Sequence, residues 1–161
     1  MTKDDFLKLQ MISTWRLFFY SAITLGVYSG YYIKALSHKV NQLDNNLPAI
    51  HNTLVETLFV LCWLGPLSLV KEIWFKDQPI FILADALLNW LGFILVVVWA
   101  FKVRNRINLT FDFAKTDHQF WFHGFWCFVF NSFYINYQLN HVCLWVRADR
   151  DQDTAAPPED R

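Results

Sequence analysis

Cysteine, glycine and proline are scarce in this chain, at three, five and five of 161 residues. Three cysteines with no CxxC pair argue against a disulfide framework. Cys62, Cys127 and Cys143 lie in or beside apolar stretches and read as small hydrophobes. Net charge is missing too. Fourteen basic and fourteen acidic side chains cancel, which removes the electrostatic case for a nucleic-acid partner. Signature loops are lacking: there is no GxSxG, P-loop or GxGxxG, hence no hydrolase elbow and no phosphate cradle. A metal site is not expected. His118 and His123 stand five apart, and His141 and Cys143 two apart, neither spacing suited to one helical face. No cofactor is expected. Charged and polar residues reach Arg16 without a short apolar core and small-residue cleavage site, so a cleaved leader is not expected either.

Hydrophobic residues are abundant. They make up 55% of the chain, and 19% of it is aromatic. Mean hydropathy is +0.22. The apolar residues gather in four stretches, about 14–34, 53–70, 79–101 and 119–139. Each approaches the ~20 residues that cross a hydrocarbon core. The run "LGFILVVVWAF" in the third carries no charge. A soluble bundle needs a polar stripe along every helix, and "LGFILVVVWAF" and "FWCFVF" have none. The expected fold is therefore all-α: a polytopic integral membrane protein with a four-transmembrane-helix bundle over 14–146. Residues 1–13 read as an amphipathic interfacial segment. The charged, Pro-containing tail 147–161 reads as disordered.

The stretch "ITLGVYSGYYIK" ends the first apolar run. Tyr28, Tyr31 and Tyr32 read as an interfacial belt, with Lys34 snorkelling outward. Gly26 and Gly30 are four apart, a small-xxx-small pattern that lets a neighbouring helix approach. Gly65 and Pro66 mark a kink in the second run. "VYSGYYIK" (27–34) is echoed by "VFNSFYIN" (129–136). With three spans between them, the two copies are expected to run in opposite directions.

The segment Thr24, Gly26, Tyr28, Tyr31, Lys34 and Asn41 resembles prokaryotic membrane proteins of a domain-of-unknown-function family. That family carries a Thr-x-Gly-x-Tyr-x-x-Tyr signature at the end of its first helix. The resemblance covers about 30 of the 161 residues. Tyr32 stands where the pattern often has Trp. The resemblance implies a bacterial, integral-membrane, uncharacterised protein.

An even number of spans puts both termini on one side. Lys3, Lys8, Arg16, Lys71, Lys76, Arg147, Arg150 and Arg161 then fall on the terminal side. Lys34, Lys39, Lys102, Arg104, Arg106 and Lys115 fall opposite. The small excess orients the termini towards the cytoplasm.

Ionisable groups inside a bilayer require a partner or a function. Depth along straight spans sorts them into two layers. Arg16, Asp85, Asn89 and Asn136 lie near the terminal side; Lys34, Glu56 and His123 lie near the other. Glu56 and Asp85 differ in depth by on the order of 12 Å, so they do not form an acid/base dyad. Interhelical pairing is the expected role of each layer. The expected function is non-enzymatic: a small protein of a bacterial inner membrane that meets another membrane component, in assembly or toxin immunity. Its partners are the lipid bilayer and a membrane protein, or a second copy of itself. The alternative is an oligomeric transporter or channel subunit that uses Glu56 and Asp85.

Overall fold

The computed structural model describes residues 6–43, 47–74, 79–111 and 120–155. Among them the secondary structure is helical throughout: α1 Thr14–Ile23, α2 Val27–Asn41, α3 Asn52–Cys62, α4 Leu64–Trp74, α5 Pro79–Thr110 and α6 Gly124–Ala155. Two helical runs, Asn52–Val70 across α3 and α4, and Ile82–Thr110 in α5, are long and apolar enough to cross a membrane. The other two expected spans are not straight.

The first is a hairpin. Helix α1 stops at Ile23, and Leu25 and Gly26 take positive φ of 51° and 94°. Ser29 donates a hydrogen bond to the Ser21 hydroxyl at 2.8 Å. The Tyr20 and Tyr28 rings meet at 5.1 Å. Residues eight apart in a straight helix would be ~12 Å apart, so the chain has turned back. Lys39 confirms the reversal, since its ammonium donates to the Lys8 and Gln10 carbonyls at 2.8 and 3.1 Å.

The fourth stretch is a hairpin too. Asn131 has φ 45° and ψ −120° inside α6 and divides it into two arms. The Phe120 and Trp145 rings lie 4.9 Å apart, where 25 residues of straight helix would separate them by ~37 Å. The second arm continues as helix to Ala155. Residues 147–155, expected to be disordered, thus extend α6; 156–161 lie outside the described residues.

The outgoing arms of both hairpins reach the N-terminal segment. Lys39 ends one there, and Arg147 donates to the Gln10 side chain at 2.5 Å from the other. The second echo, 129–136, turns at Asn131, and its residues 132–136 therefore run the same way as 27–34, against the expectation from straight spans. The N-terminal segment is also not a free interfacial helix. Phe6 and Leu9 are buried in the core with Leu36, Val40, Ile107 and Val142.

Helix α3 runs antiparallel to α2. The Tyr31 and Phe59 rings meet at 4.9 Å, and Lys34 pairs with Glu56 at 2.7 Å. Helix α5 packs on both hairpins: Trp99 donates to the Ser37 hydroxyl at 2.8 Å, and Phe93 meets Phe128 at 6.0 Å. The core therefore sits at one end of the molecule. Along α5, Trp99, Val103 and Ile107 are fully buried, whereas Ile82, Leu87 and Trp90 are more than half exposed.

Candidate functional site

The bend that closes the first hairpin is built by its own side chains. Thr24 donates its hydroxyl proton to the Tyr20 carbonyl at 2.7 Å and accepts the Tyr28 N–H at 3.0 Å. One hydroxyl thus serves the last turn of α1 and caps the first turn of α2. Gly26 supplies the second of two positive-φ residues, after Leu25, in a conformation that costs an ordinary side chain ~1–2 kcal/mol. A Cβ on Gly26 would meet nothing within 4 Å, so this glycine serves backbone conformation rather than packing. Gly30 does pack: a Cβ there would lie 3.0 Å from the Cys62 Cβ and 3.3 Å from Phe59. The expected glycine pair thus divides into one turn residue and one contact residue.

The bend rests on α4. A Cβ on Gly65 would stand 2.4 Å from the Leu25 carbonyl oxygen. The tip of the hairpin therefore presses onto backbone just after the α3–α4 junction at Trp63. Gly65 and Pro66, read as a kink, mark that contact. Thr-x-Gly-x-Tyr is in physical terms a helix-reversal motif: cap, left-handed turn, and the ring that meets Tyr20 edge-on.

The model of the DUF4234 family, described as a domain of unknown function, matches residues 12–109. The chain belongs to the DUF4234 family. No curated protein and no solved structure matches it. The match takes in the first hairpin and helices α3 to α5, and ends before the second hairpin.

The far end of the DUF4234 core is held by polar anchors. Arg106, 4% exposed, donates to the carbonyls of Val40, Asn41, Leu47 and Pro48 at 2.7–3.3 Å. Asn41 exchanges two hydrogen bonds with the Ile50 backbone at 2.9 and 3.0 Å. This explains the Asn that follows the signature: together the two side chains fasten the chain that links α2 to α3. Asn136 and Asn140 each donate to the Ile12 carbonyl, at 2.9 and 3.0 Å. Asn108 exchanges hydrogen bonds with the Phe122 backbone, and Arg104 donates to the Phe122 carbonyl. Arg104 lies between the Phe101 and Trp121 rings, 5.8 and 5.6 Å from their centroids. Burial pushes the Cys143 thiol up to about 11, against the opposing charges of Arg147 and Lys39. The protonated thiol donates to the Phe6 carbonyl at 3.8 Å.

The two expected polar layers are rearranged. Lys34 and Glu56 meet, both side chains about half exposed, and Lys34 also lies over the Phe59 ring at 5.2 Å. His123 is exposed at the start of α6, where its N–H donates to the Tyr134 hydroxyl at 3.1 Å. Arg16 is exposed on α1, and among the described residues no ion pair joins it to Asp85. Asn136 sits with the N-terminal segment, while Asp85 and Asn89 precede Trp99 by 14 and 10 residues on the exposed part of α5. The reversal at Thr24–Gly26 causes this regrouping, because depth was counted along a straight first span. Sequence reasoning missed Arg106, Asn108 and Trp99 as anchors. Arg106 in particular was counted only as a topogenic charge.

Two shallow grooves flank the bends. One of about 380 Å³ is lined by Thr14, Trp126, Phe130, Phe133, Tyr134 and Tyr137. The other, of about 330 Å³, is lined by Ala86, Asn89, Trp90 and Phe93. Among the described residues no three of His, Cys, Asp and Glu converge.

Proposed function

We infer that this DUF4234 chain is an integral protein of a bacterial inner membrane that works by contact with another membrane component. One observation carries the reading. Leu67, Leu69 and Val70 of α4 and Ile82, Leu87, Trp90 and Ile94 of α5 are presented outward, whereas Arg106, Asn108, Asn136 and Asn41 are spent on internal anchors. Only 6% of the most apolar window of Ile82–Thr110, and 11% of that of Asn52–Val70, is buried within the chain. Such a surface is unfavourable in water and ordinary in lipid. The first hairpin bend is compatible with lipid depth, because Thr24 satisfies the backbone locally.

The same geometry gives catalysis little to work with. The Lys34–Glu56 pair lies in the α2–α3 seam beside an aromatic ring, an arrangement that fixes register. Affinity purification of the tagged protein from native membranes, followed by native mass determination, tests the reading. A stoichiometric second protein or a fixed homo-oligomer is expected. A chain extracted by carbonate, without detergent, would overturn the membrane assignment.

The interrupted helices favour a second reading, an oligomeric transporter subunit, because broken helices at mid-depth line substrate sites in transporters. Ion flux in liposomes that is lost on Glu56→Gln or Asp85→Asn would select it.

A further inference from the structure

We propose that the protein is a leaflet-asymmetric wedge that senses and promotes membrane curvature. The inference rests on the membrane reading above and adds a shape. Lys34 and Glu56 pair at one level on α2 and α3, and His123 stands at the start of α6, whose Gly124 lies against Phe101 of α5. From that level to each bend the distances agree. Lys34 to Gly26 is eight residues, Glu56 to Gly65 nine, and His123 to Asn131 eight, or ~12–14 Å of helix in each case. That is about half of a ~30 Å hydrocarbon core. Both hairpins therefore enter one leaflet and turn back within it.

The two leaflets then hold different amounts of protein. On the side of the polar anchors stand α1, α2, α3, the second half of α5 and both arms of α6. Past the bends, among the described residues, only α4 and the first half of α5 continue. Contacts fix the crossing level: Leu25 against Gly65, Leu61 against Gly92, and Phe93 against Phe128. Six helical arms in one leaflet face two in the other. The anchor-side leaflet is expanded, and the bilayer relaxes by becoming convex on that side.

Arg106, Asn41, Lys39, Asn136 and Asn140 give the wedge stiffness. They tie the open ends of both hairpins to one another and to the N-terminal segment. A hairpin whose arms splayed would transmit no lateral pressure. The broad end is the buried, hydrogen-bonded one, so its cross-section resists compression by lipid.

The test uses the full chain, reconstituted in one step into a mixture of small and large vesicles of phosphatidylethanolamine and phosphatidylglycerol. Gln42→Cys and Ser13→Cys, both at exposed positions, are labelled with a membrane-impermeant maleimide; the unsubstituted chain gives the background. Both positions are expected on one side of the bilayer. Molecules with that side outward are expected to be enriched several-fold per lipid in the small vesicles, and those with it inward to be depleted. Labelling of the two positions from opposite sides would overturn the half-depth hairpins and with them the wedge. Same-side labelling with equal density in small and large vesicles, from a protein that resists carbonate, would overturn the wedge and leave the membrane reading standing. Loss of the protein to a carbonate wash would overturn both.

Discussion

The two hairpin bends perform the same reversal with different means. At Thr24–Gly26 the sequence supplies a capping hydroxyl, a glycine for one of the two positive-φ residues, with Leu25 holding the other at 51°, and a second glycine, Gly65, on the surface that receives the tip. At Asn131 a non-glycine residue holds φ 45° and ψ −120°, and its buried Oδ1 accepts no hydrogen bond. The first bend is locally encoded. The second is imposed by what lies on either side, since Asn108 and Arg104 hold Phe122 at one end while Asn136 and Asn140 hold the other arm to Ile12. The DUF4234 match covers the first bend and stops short of the second. A local solution is robust to its surroundings; an imposed one stores strain until its anchors fail.

That contrast predicts where the molecule breaks most easily. Gly65→Ala is the largest expected effect. The added methyl would stand 2.4 Å from the Leu25 carbonyl oxygen, and backbone cannot yield as a flexible side chain can. A loss of about 3 kcal/mol is expected, measured by SDS titration in mixed micelles. An unchanged midpoint would mean the tip does not rest on α4.

Gly26→Ala comes next. There is space for a methyl group, with nothing within 4 Å, so its cost is conformational alone, about 1–2 kcal/mol. Gly26→Asn should recover part of that loss, since Asn tolerates positive φ better than Ala. Equal losses for both would point to packing and contradict the local account.

Thr24→Val keeps the shape and removes the hydroxyl that serves Tyr20 and Tyr28. About 1 kcal/mol is expected to be lost. Amide exchange near Tyr28 should rise before exchange near Trp99 does. A uniform rise would mean the bend and the core melt as one.

The positions of the apolar segments were legible in the sequence; the direction of two of them was not. Hydropathy counts length, and a helix that goes in and returns has the same composition as one that goes through. Residues 14–34 therefore read as a span although they fold back at Thr24–Gly26. The signal was present in the wrong guise. Gly26 and Gly30 looked like one packing stripe, yet only Gly30 touches α3, while Gly26 beside a capping Thr is the mark of a turn. Lys34 and Glu56 shared a depth in the sequence reading and meet in the structure, because both were counted from the correct ends of their helices. Arg16, Asp85, Asn89 and Asn136 were grouped by a count that the first reversal invalidates. Arg106 was illegible as an anchor. Its four carbonyl partners belong to residues 40–48, some 60 positions away, and no local pattern announces a contact of that range.

Asn131→Gly is the smallest expected effect and the sharpest discriminator, because its sign reverses. Glycine adopts φ 45° without penalty, which relieves about 1–1.5 kcal/mol of strain, the low end of the usual range because Asn tolerates positive φ better than most residues. The side chain removed leaves no partner behind, since Oδ1 has none. Against this stands the added freedom of glycine in the unfolded chain, about 0.5–1 kcal/mol. The balance is a stabilisation of up to about 1 kcal/mol, read in the same SDS titration. Thus a glycine gained at the second bend should help where a glycine lost at the first hurts. If Asn131→Gly destabilises instead, Asn131 must hold the second bend through its side chain. The second hairpin would then be encoded as locally as the first, and the difference between the two bends would disappear.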